Sequence, residues 1–121
     1  MSFSSFFRTS CETREMHADV DLRTRYYRNS FDQCLVVLKK MATATQMEIR
    51  DVNKPHGEVY LLGSGFDCIV TISQINPIES GIDLKINYFA TFGFNRPRKK
   101  AMAIYQFLNA ELKFKGVALH P

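Results

Sequence analysis

Apolar and polar side chains alternate along residues 16 to 22, and this alternation predicts the first β-strand of the chain. The apolar positions are Met16, Ala18, Val20 and Leu22. Successive residues of a strand point to opposite faces of the sheet, so a period of two is typical of a strand with one buried face. Residues 1 to 14 show no sustained period. We therefore expect them to form a flexible N-terminal tail, in which Phe3, Phe6 and Phe7 are the side chains able to dock.

The period then changes to three and four residues, which predicts an amphipathic helix. Its apolar positions are Tyr27, Phe31, Cys34, Leu35, Leu38 and Met41. This spacing places the side chains on one helical face. Ser30 and Gln33 have the spacing of a capping box, whereas Thr24 offers an earlier start. The pattern leaves these two starts open.

Turn residues divide the segment from Met47 to Tyr88 into four predicted strands. The first contains Ile49 and ends at the loop 53–57, which reads Asn-Lys-Pro-His-Gly. The second covers 58–62, and a Gly-Ser-Gly turn joins it to the third at 66–72. Residues 76–81 lead into the fourth at 82–88. Short turns between successive strands favour an antiparallel meander.

A second predicted helix begins near Pro97 and closes the domain. Its apolar stripe ends before Gly116 and contains Ala101, Ile104, Tyr105, Leu108 and Leu112. A chain of 121 residues has the size of one domain. We predict a two-layer α+β domain of order β-α-β-β-β-β-α over residues 15–116, followed by a C-terminal tail at 117–121. Both helices should pack on one face of an antiparallel sheet.

Little in the sequence points to catalysis or to a metal. Cys11, Cys34 and Cys68 are widely separated and lack the paired spacing of zinc or redox sites. We expect free thiols, with Cys34 and Cys68 buried and inert because they lie on apolar stripes. The three histidines lie far apart in the chain. We therefore expect no catalytic residue, no metal and no cofactor.

No secretory signal and no apolar run near the ~20 residues that span a bilayer are found in the sequence. We therefore expect a cytoplasmic protein. The formal net charge is +4, which is compatible with anionic partners but does not require them.

The most concentrated basic feature lies at the start of the second predicted helix, where Arg96, Arg98, Lys99 and Lys100 fall within five residues. Positive charge at this end of a helix opposes the macrodipole. Two interpretations remain open. The four side chains form either a solvated helix face or an anion-binding patch.

A second basic group, Arg23, Arg25 and Arg28, lies at the start of the first predicted helix. Counting strand directions through the predicted meander places the two helix N-termini at opposite ends of the domain. We therefore predict two separate basic patches. Nucleic-acid binding by the sheet would also need exposed aromatic side chains, for which Tyr60, Phe89 and Phe92 are the candidates.

The element order of residues 15 to 115 resembles the TBP-like family of small α+β folds, which includes bacterial domains of unknown function. It is also similar to the kinase-associated-1 domain, whose last helix closes on a Glu-Leu-Lys-Leu motif. The matching residues here are Glu111, Leu112, Lys113 and Phe114. This resemblance implies a non-catalytic module that binds anionic phospholipid through basic residues.

Three functions follow from these observations. The first is a binding module without catalytic activity, acting through protein contacts or an anionic ligand such as phospholipid or nucleic acid. The second is a structural protein that forms a homodimer through a sheet edge or the N-terminal phenylalanines. The third is an enzyme or small-ligand carrier with a pocket between helices and sheet.

Overall fold

A computed structural model describes residues 10–89 and 96–118 of the chain. Within these ranges the protein has two helices and a seven-stranded sheet. The helices are α1 (Phe31–Ala44) and α2 (Arg96–Glu111). The strands are β1 (Ser10–Glu12), β2 (Arg25–Tyr27), β3 (Glu48–Asn53), β4 (Glu58–Gly63), β5 (Phe66–Asn76), β6 (Glu79–Tyr88) and β7 (Phe114–Val117). The predicted two-layer α+β class is confirmed.

All strand pairs in the described part of the chain are antiparallel, in the order β3-β4-β5-β6-β2-β7. β1 also pairs with β6. β1 lies opposite Lys85–Asn87 and β2 lies opposite Ser80–Ile82. Since β5 occupies the other edge of β6 along nearly its whole length, β1 and β2 lie end to end on the same edge.

The prediction of a strand at residues 16 to 22 is wrong. Met16 is 65% exposed and Val20 is 50% exposed, and Val20–Leu22 form a 3-10 turn. The side chain of Asp19 accepts a hydrogen bond from the backbone N–H of Asp21, which caps this turn. Such local bonds from aspartate compete with a sheet ladder. Residues 16 to 22 therefore have the alternating pattern of a strand, but in the described structure they pair with no other strand.

Residues 14 to 24 instead form a loop that leaves the sheet between β1 and β2 and returns to it. The backbone N–H of Arg14 donates to the Leu22 carbonyl at 3.1 Å. The N–H of Thr24 donates to the Arg14 carbonyl at 3.3 Å. These two bonds close the loop at its base, and we call residues 14–24 the β1–β2 loop.

The folded domain extends beyond both boundaries expected from the sequence. At the N-terminal side, Ser10–Glu12 form β1, and Cys11 and Thr13 are buried. At the C-terminal side, β7 includes Val117 and Ala118 is buried. Strands of three or four residues are too short to show a period in the sequence. Phe3, Phe6 and Phe7 lie outside the described residues.

The start of α1, left open by the pattern, lies at Ser30. The Ser30 hydroxyl accepts a hydrogen bond from the N–H of Gln33, and the Gln33 side chain accepts one from the N–H of Ser30. This reciprocal pair is a capping box. Thr24 lies before β2 rather than at a helix start.

The predicted meander from β3 to β6 is confirmed, and alternate side chains of β5 face the helices. The buried ones are Phe66, Cys68, Val70 and Ile72. They belong to one core cluster with Leu38 of α1 and Leu108 of α2. Gly57, before β4, has φ +68°, and a Cβ atom at this position would come within 2.2 Å of the Ile72 carbonyl oxygen. The close approach of the turn to β5 therefore requires glycine.

The two helices begin at opposite ends of β5, as counting strand directions predicts. At the start of α1, the N–H of Phe31 donates to the Gln74 side chain near the end of β5. Near the start of α2, the Lys100 ammonium lies 4.9 Å from the ring centroid of Phe66, the first residue of β5. No helix in the described ranges is long and apolar enough to cross a bilayer.

Candidate functional site

A shallow cleft of about 240 Å³ lies where the first turns of α2 meet the end of β6. Among the described residues it is lined by Tyr88, Arg96, Lys99, Lys100 and Ala103. We call this feature the basic cleft. Three of its lining side chains are cations and none is an acid.

Aromatic rings support two of these cations. The Arg96 guanidinium lies 4.7 Å from the ring centroid of Tyr88, and the Lys100 ammonium lies 4.9 Å from that of Phe66. The two rings are themselves 5.2 Å apart. A cation over an aromatic face is held by the ring quadrupole without losing its charge. The rings therefore position Arg96 and Lys100 while leaving both side chains charged.

The hydroxyl of Tyr88 remains a neutral hydrogen-bonding group beside the cleft. Burial raises the pKa of Tyr88 above its usual value, and the neighbouring Arg96 only partly offsets this effect. The cleft therefore presents positive charge together with a phenol that does not ionise near neutral pH.

Arg98 does not belong to the basic cleft, which corrects the four-residue patch expected from the sequence. Its Nε donates to Asp19 Oδ2 at 3.0 Å, and its Nη2 donates to Asp21 Oδ2 at 2.9 Å. The hydrogen bond from Arg98 holds the pKa of Asp19 below its usual value, despite partial burial. Two carboxylates from the β1–β2 loop thus compensate the charge of Arg98.

Arg96, Lys99 and Lys100 have no ion pair within residues 10–89 and 96–118. Other cations in these ranges do, including Lys40 with Glu111 and Lys115 with Glu79. Three uncompensated cations at a helix N-terminus oppose the macrodipole. The cleft is therefore a concentration of positive charge that the described part of the fold does not neutralise.

The structure does not gather Arg23, Arg25 and Arg28 into one patch. Arg23 Nε donates to the His17 carbonyl at 2.9 Å. Arg25 is only 9% exposed, its guanidinium lies 4.6 Å from the Tyr105 ring centroid, and its Nε has no hydrogen-bond partner among the described atoms. Arg28 is exposed beyond the end of β2. Arg25 is thus part of the interior rather than of a binding surface.

One residue from each basic group, Arg25 and Arg98, contacts Asp21 of the β1–β2 loop. Arg25 Nη2 donates to the Asp21 carbonyl at 3.1 Å, while Arg98 donates to the Asp21 carboxylate. The β1–β2 loop brings these residues together, because it crosses towards the start of α2. Strand directions alone do not reveal the path of such a loop.

A second cavity, which the sequence did not indicate, lies on the sheet face away from the helices. It has a volume of about 340 Å³, and its lining includes Glu15, Asp83 and Tyr26. The Tyr26 ring lies on Gly81, where a Cβ atom would come within 2.9 Å of the ring. Burial and a hydrogen bond with Glu15 raise the pKa of Tyr26 to about 12. On a strand, Asp83 has the spacing of an ordinary solvent-facing residue, so no local signal marked it.

Two of the aromatic side chains considered for nucleic-acid binding, Tyr60 and Phe89, lie within the described residues. The Tyr60 hydroxyl donates to Asp67 Oδ2 at 2.9 Å, on the sheet face away from the helices. Phe89 follows β6 and is 63% exposed. Phe92 lies outside the described residues. Tyr60 lies on β4 and Phe89 follows β6, so these two side chains come from strands that β5 separates.

The expected burial of the cysteines on the apolar stripes is confirmed. Cys34 and Cys68 are fully buried. Burial raises the pKa of the Cys34 thiol to about 11 and that of Cys68 to about 12. Both groups remain neutral thiols at neutral pH, which makes them poor nucleophiles. The described residues contain no cluster of three or more His, Cys, Asp or Glu side chains able to hold a metal ion.

Comparisons with protein-family models, with curated proteins and with solved structures found no match for this chain. The resemblance to TBP-like and kinase-associated-1 domains therefore stays a prediction.

Proposed function

We propose that this protein is a non-catalytic binding module whose basic cleft holds a phosphate-bearing anion. The observation that carries this proposal is the set of three cations around the cleft, Arg96, Lys99 and Lys100, without an acidic partner in the described ranges. Arg98, the fourth residue of the predicted patch, is not part of the proposed site because it is paired with Asp19 and Asp21.

The spacing of the cations supports this function. Residues 96, 99 and 100 are three and four positions apart, so they lie on one face of α2. Like charges at these spacings repel one another, and an anion bound between them relieves the repulsion. Arg96 also presents a planar donor fork, which matches two oxygens of a phosphate. Binding of a phosphate therefore satisfies charge and hydrogen-bonding capacity together.

The size of the cleft favours recognition of one phosphate group rather than a long stretch of backbone. A phosphorylated lipid headgroup and a nucleotide phosphate share this chemistry. The resemblance to kinase-associated-1 domains favours the lipid source. Binding to a phosphorylated lipid and binding to a nucleic acid therefore have to be measured separately.

The test measures binding to two probes at low salt. One probe is vesicles with and without a phosphorylated inositol lipid, and the other is a single-stranded oligonucleotide. We expect the variant Arg96→Gln/Lys99→Gln/Lys100→Gln to lose binding to the preferred probe. The slope of log affinity against log salt should also become shallower, by about 0.7 for each phosphate contact removed if the preferred probe is the single-stranded oligonucleotide.

A matched control removes three exposed cations elsewhere, in the variant Arg28→Gln/Lys39→Gln/Lys113→Gln. It has the same net charge as the cleft variant and should retain most of the affinity. Equal losses in both variants would show that only net charge matters. No binding to either probe at low salt would refute the anion-binding function.

The homodimer expected as an alternative remains a prediction, as does the cytoplasmic location. β3 is the last strand of the order at one side of the sheet and carries Glu48, Arg50 and Asp51. Charged side chains on an edge strand oppose edge-to-edge pairing. This observation weighs against a dimer through the β3 edge.

A further inference from the structure

Asp83 of β6 joins the two ends of the β1–β2 loop. Its Oδ1 lies 2.8 Å from Thr13 Oγ1 and 2.8 Å from Thr24 Oγ1. Thr13 directly follows β1 and Thr24 directly precedes β2. No lysine or arginine forms an ion pair with Asp83 in the part of the chain that the structure describes. A half-buried carboxyl group therefore relies on hydroxyl groups for its contacts.

These hydroxyl groups continue as a chain towards α2. Thr13 Oγ1 lies 2.9 Å from the Tyr105 hydroxyl, which lies 2.8 Å from the Ile82 carbonyl oxygen. Thr13 Oγ1 also accepts the N–H of Leu84 at 2.9 Å. Four oxygens thus stand in a row, from Asp83 through Thr13 and Tyr105 to Ile82, with three short contacts between them.

The number of hydrogens available to these four oxygens depends on whether Asp83 is protonated. Each short oxygen–oxygen contact needs one hydrogen between its atoms. When Asp83 is ionised, the hydroxyl hydrogens of Thr13 and Tyr105 are the only two available for the three contacts. One contact then has no hydrogen, and the lone pairs of its two oxygens face each other. With Asp83 protonated, its proton goes to Thr13, that of Thr13 to Tyr105, and that of Tyr105 to the Ile82 carbonyl. The Thr24 hydroxyl still donates to Asp83.

We propose that Asp83 holds a proton in the folded protein and acts as a pH-sensitive latch on the β1–β2 loop. The protonated latch ties both loop ends to β6 and, through Thr13 and Tyr105, ties the end of β1 to α2. When Asp83 loses its proton to solvent, one contact of the chain lacks a hydrogen and separates. Both threonine hydroxyls can still donate to the carboxylate, so the contact that is lost is one of the two made by the Tyr105 hydroxyl, and the attachment of the end of β1 to α2 weakens.

Burial and two nearby carboxylates both favour the protonated form of Asp83. Burial raises the pKa of Asp83 above its usual value, and the carboxylates of Glu15 and Glu12 raise it further, although the hydrogen bonds from Thr24 and Thr13 oppose these effects. From β2 and α2, the facing titratable groups are Tyr26 and Tyr105, both neutral phenols. Thr71 and Ser73 of β5 carry no charge. Lys85, two residues along β6, is exposed.

The direction of the pH effect follows from linkage. The pKa of Asp83 is higher in the folded protein than the ordinary value of 3.8. Its contribution to stability is therefore fully present below pH 3.8 and is lost as the pH rises through the folded value. The latch is closed in acid and opens towards higher pH.

The test follows the carboxyl carbon of Asp83 by NMR against pH in the full chain. We expect a midpoint above 3.8 in the natural protein and a lower midpoint in Tyr105→Phe. Without the Tyr105 hydroxyl, the proton of Thr13 satisfies the single remaining contact and ionised Asp83 is fully bonded. Tyr27→Phe is the matched control, because the buried Tyr27 hydroxyl donates to Asn109 rather than to this chain.

A natural midpoint at or below 3.8, or the same midpoint in Tyr105→Phe, would overturn the proposal. If Tyr105→Phe does not fold, Asp83→Asn provides a second test. One hydrogen of its amide nitrogen goes to Thr13, as the proton of the acid does, while Thr24 accepts the other hydrogen instead of donating, and the amide does not ionise. We expect the natural protein to lose stability relative to Asp83→Asn as the pH rises, because only the natural protein loses the contribution of protonated Asp83. An equal pH dependence in the two proteins would also refute the latch.

Discussion

Two basic groups that look alike in the sequence have different surroundings in the structure. Arg96, Lys99 and Lys100 border an open cleft and keep their charges available. Arg25, from the other group, lies in the interior against the ring of Tyr105. The difference shows that local charge density does not define a patch. The element that carries the cations decides where each side chain points.

The geometry of the two elements explains this difference. β2 has three residues, and its outer two, Arg25 and Tyr27, are buried on the helix side while Tyr26 faces the other way. Arg25 is therefore placed in the interior by the same alternation that buries Tyr27. On α2, spacings of three and four residues keep Arg96, Lys99 and Lys100 together at the surface.

The largest effect that distinguishes the two groups should come from Arg25→Ala. We expect a loss of about 2 kcal/mol in the free energy of unfolding, because the variant removes packing and the cation–π contact with Tyr105. Urea denaturation measures this loss. Arg28→Ala removes an exposed arginine and should change stability by less than about 0.5 kcal/mol. Equal losses of unfolding free energy in Arg25→Ala and Arg28→Ala would mean that the buried Arg25 side chain does not stabilise the fold.

A smaller effect concerns Arg98, which belongs to the same sequence cluster as the cleft but is paired with the β1–β2 loop. We expect Arg98→Ala alone to leave anion affinity nearly unchanged. In the Asp19→Asn/Asp21→Asn background, Arg98 is released and adds to the cleft. There the same substitution should lower affinity about fivefold, which corresponds to the ~1 kcal/mol of a well-placed ion pair. Binding titrations with the preferred probe measure both effects.

Measuring Arg98→Ala both in the natural protein and in Asp19→Asn/Asp21→Asn distinguishes two causes of a higher anion affinity. One is the release of Arg98 from its ion pairs, and the other is the general gain in positive charge. A general gain predicts that Arg98→Ala has the same effect in both backgrounds. Only release of Arg98 predicts a larger effect without Asp19 and Asp21. An additive result would contradict the pairing of Arg98 with the loop.

The smallest effect is the acid sensitivity of the Arg98 ion pair. The pKa of Asp19 is lowered below 3.8 by the hydrogen bond from Arg98. Its stabilising contribution is therefore present above pH 3.8 and is lost as the pH falls through the folded value. The difference in urea midpoint between the natural protein and Asp19→Asn should shrink in acid. A constant difference for Asp19→Asn would refute the prediction.

The long elements of this fold were predictable because their patterns are long enough to be read locally. The capping box at Ser30 and the apolar face containing Leu38 predicted α1, and the turns at Gly57 and Gly65 separated the strands of the meander. The short strands β1, β2 and β7 were not predictable. Each has three or four residues, and each is a strand only because β6 or β2 supplies a pairing edge.

The basic cleft was partly predictable for the same reason. The cluster from Arg96 to Lys100 is visible in the sequence, and its position on α2 follows from helical spacing. That Arg98 is neutralised was not predictable, because Asp19 and Asp21 lie far away in the chain. The 16–22 segment containing them had the alternation of a strand, so the sequence placed both acids on a solvent face.

The sequence by itself determined the two helices, the meander and the concentration of positive charge, since all three depend on residues close together in the chain. The tertiary structure decided which cations remain available and where Asp83 lies. Thr13, Asp83 and Tyr105 come from separate elements, and their hydroxyl chain exists only once β1, β6 and α2 have packed. Pairings between distant residues depend on the path of the loops, and the β1–β2 loop has no periodic pattern that would reveal its path.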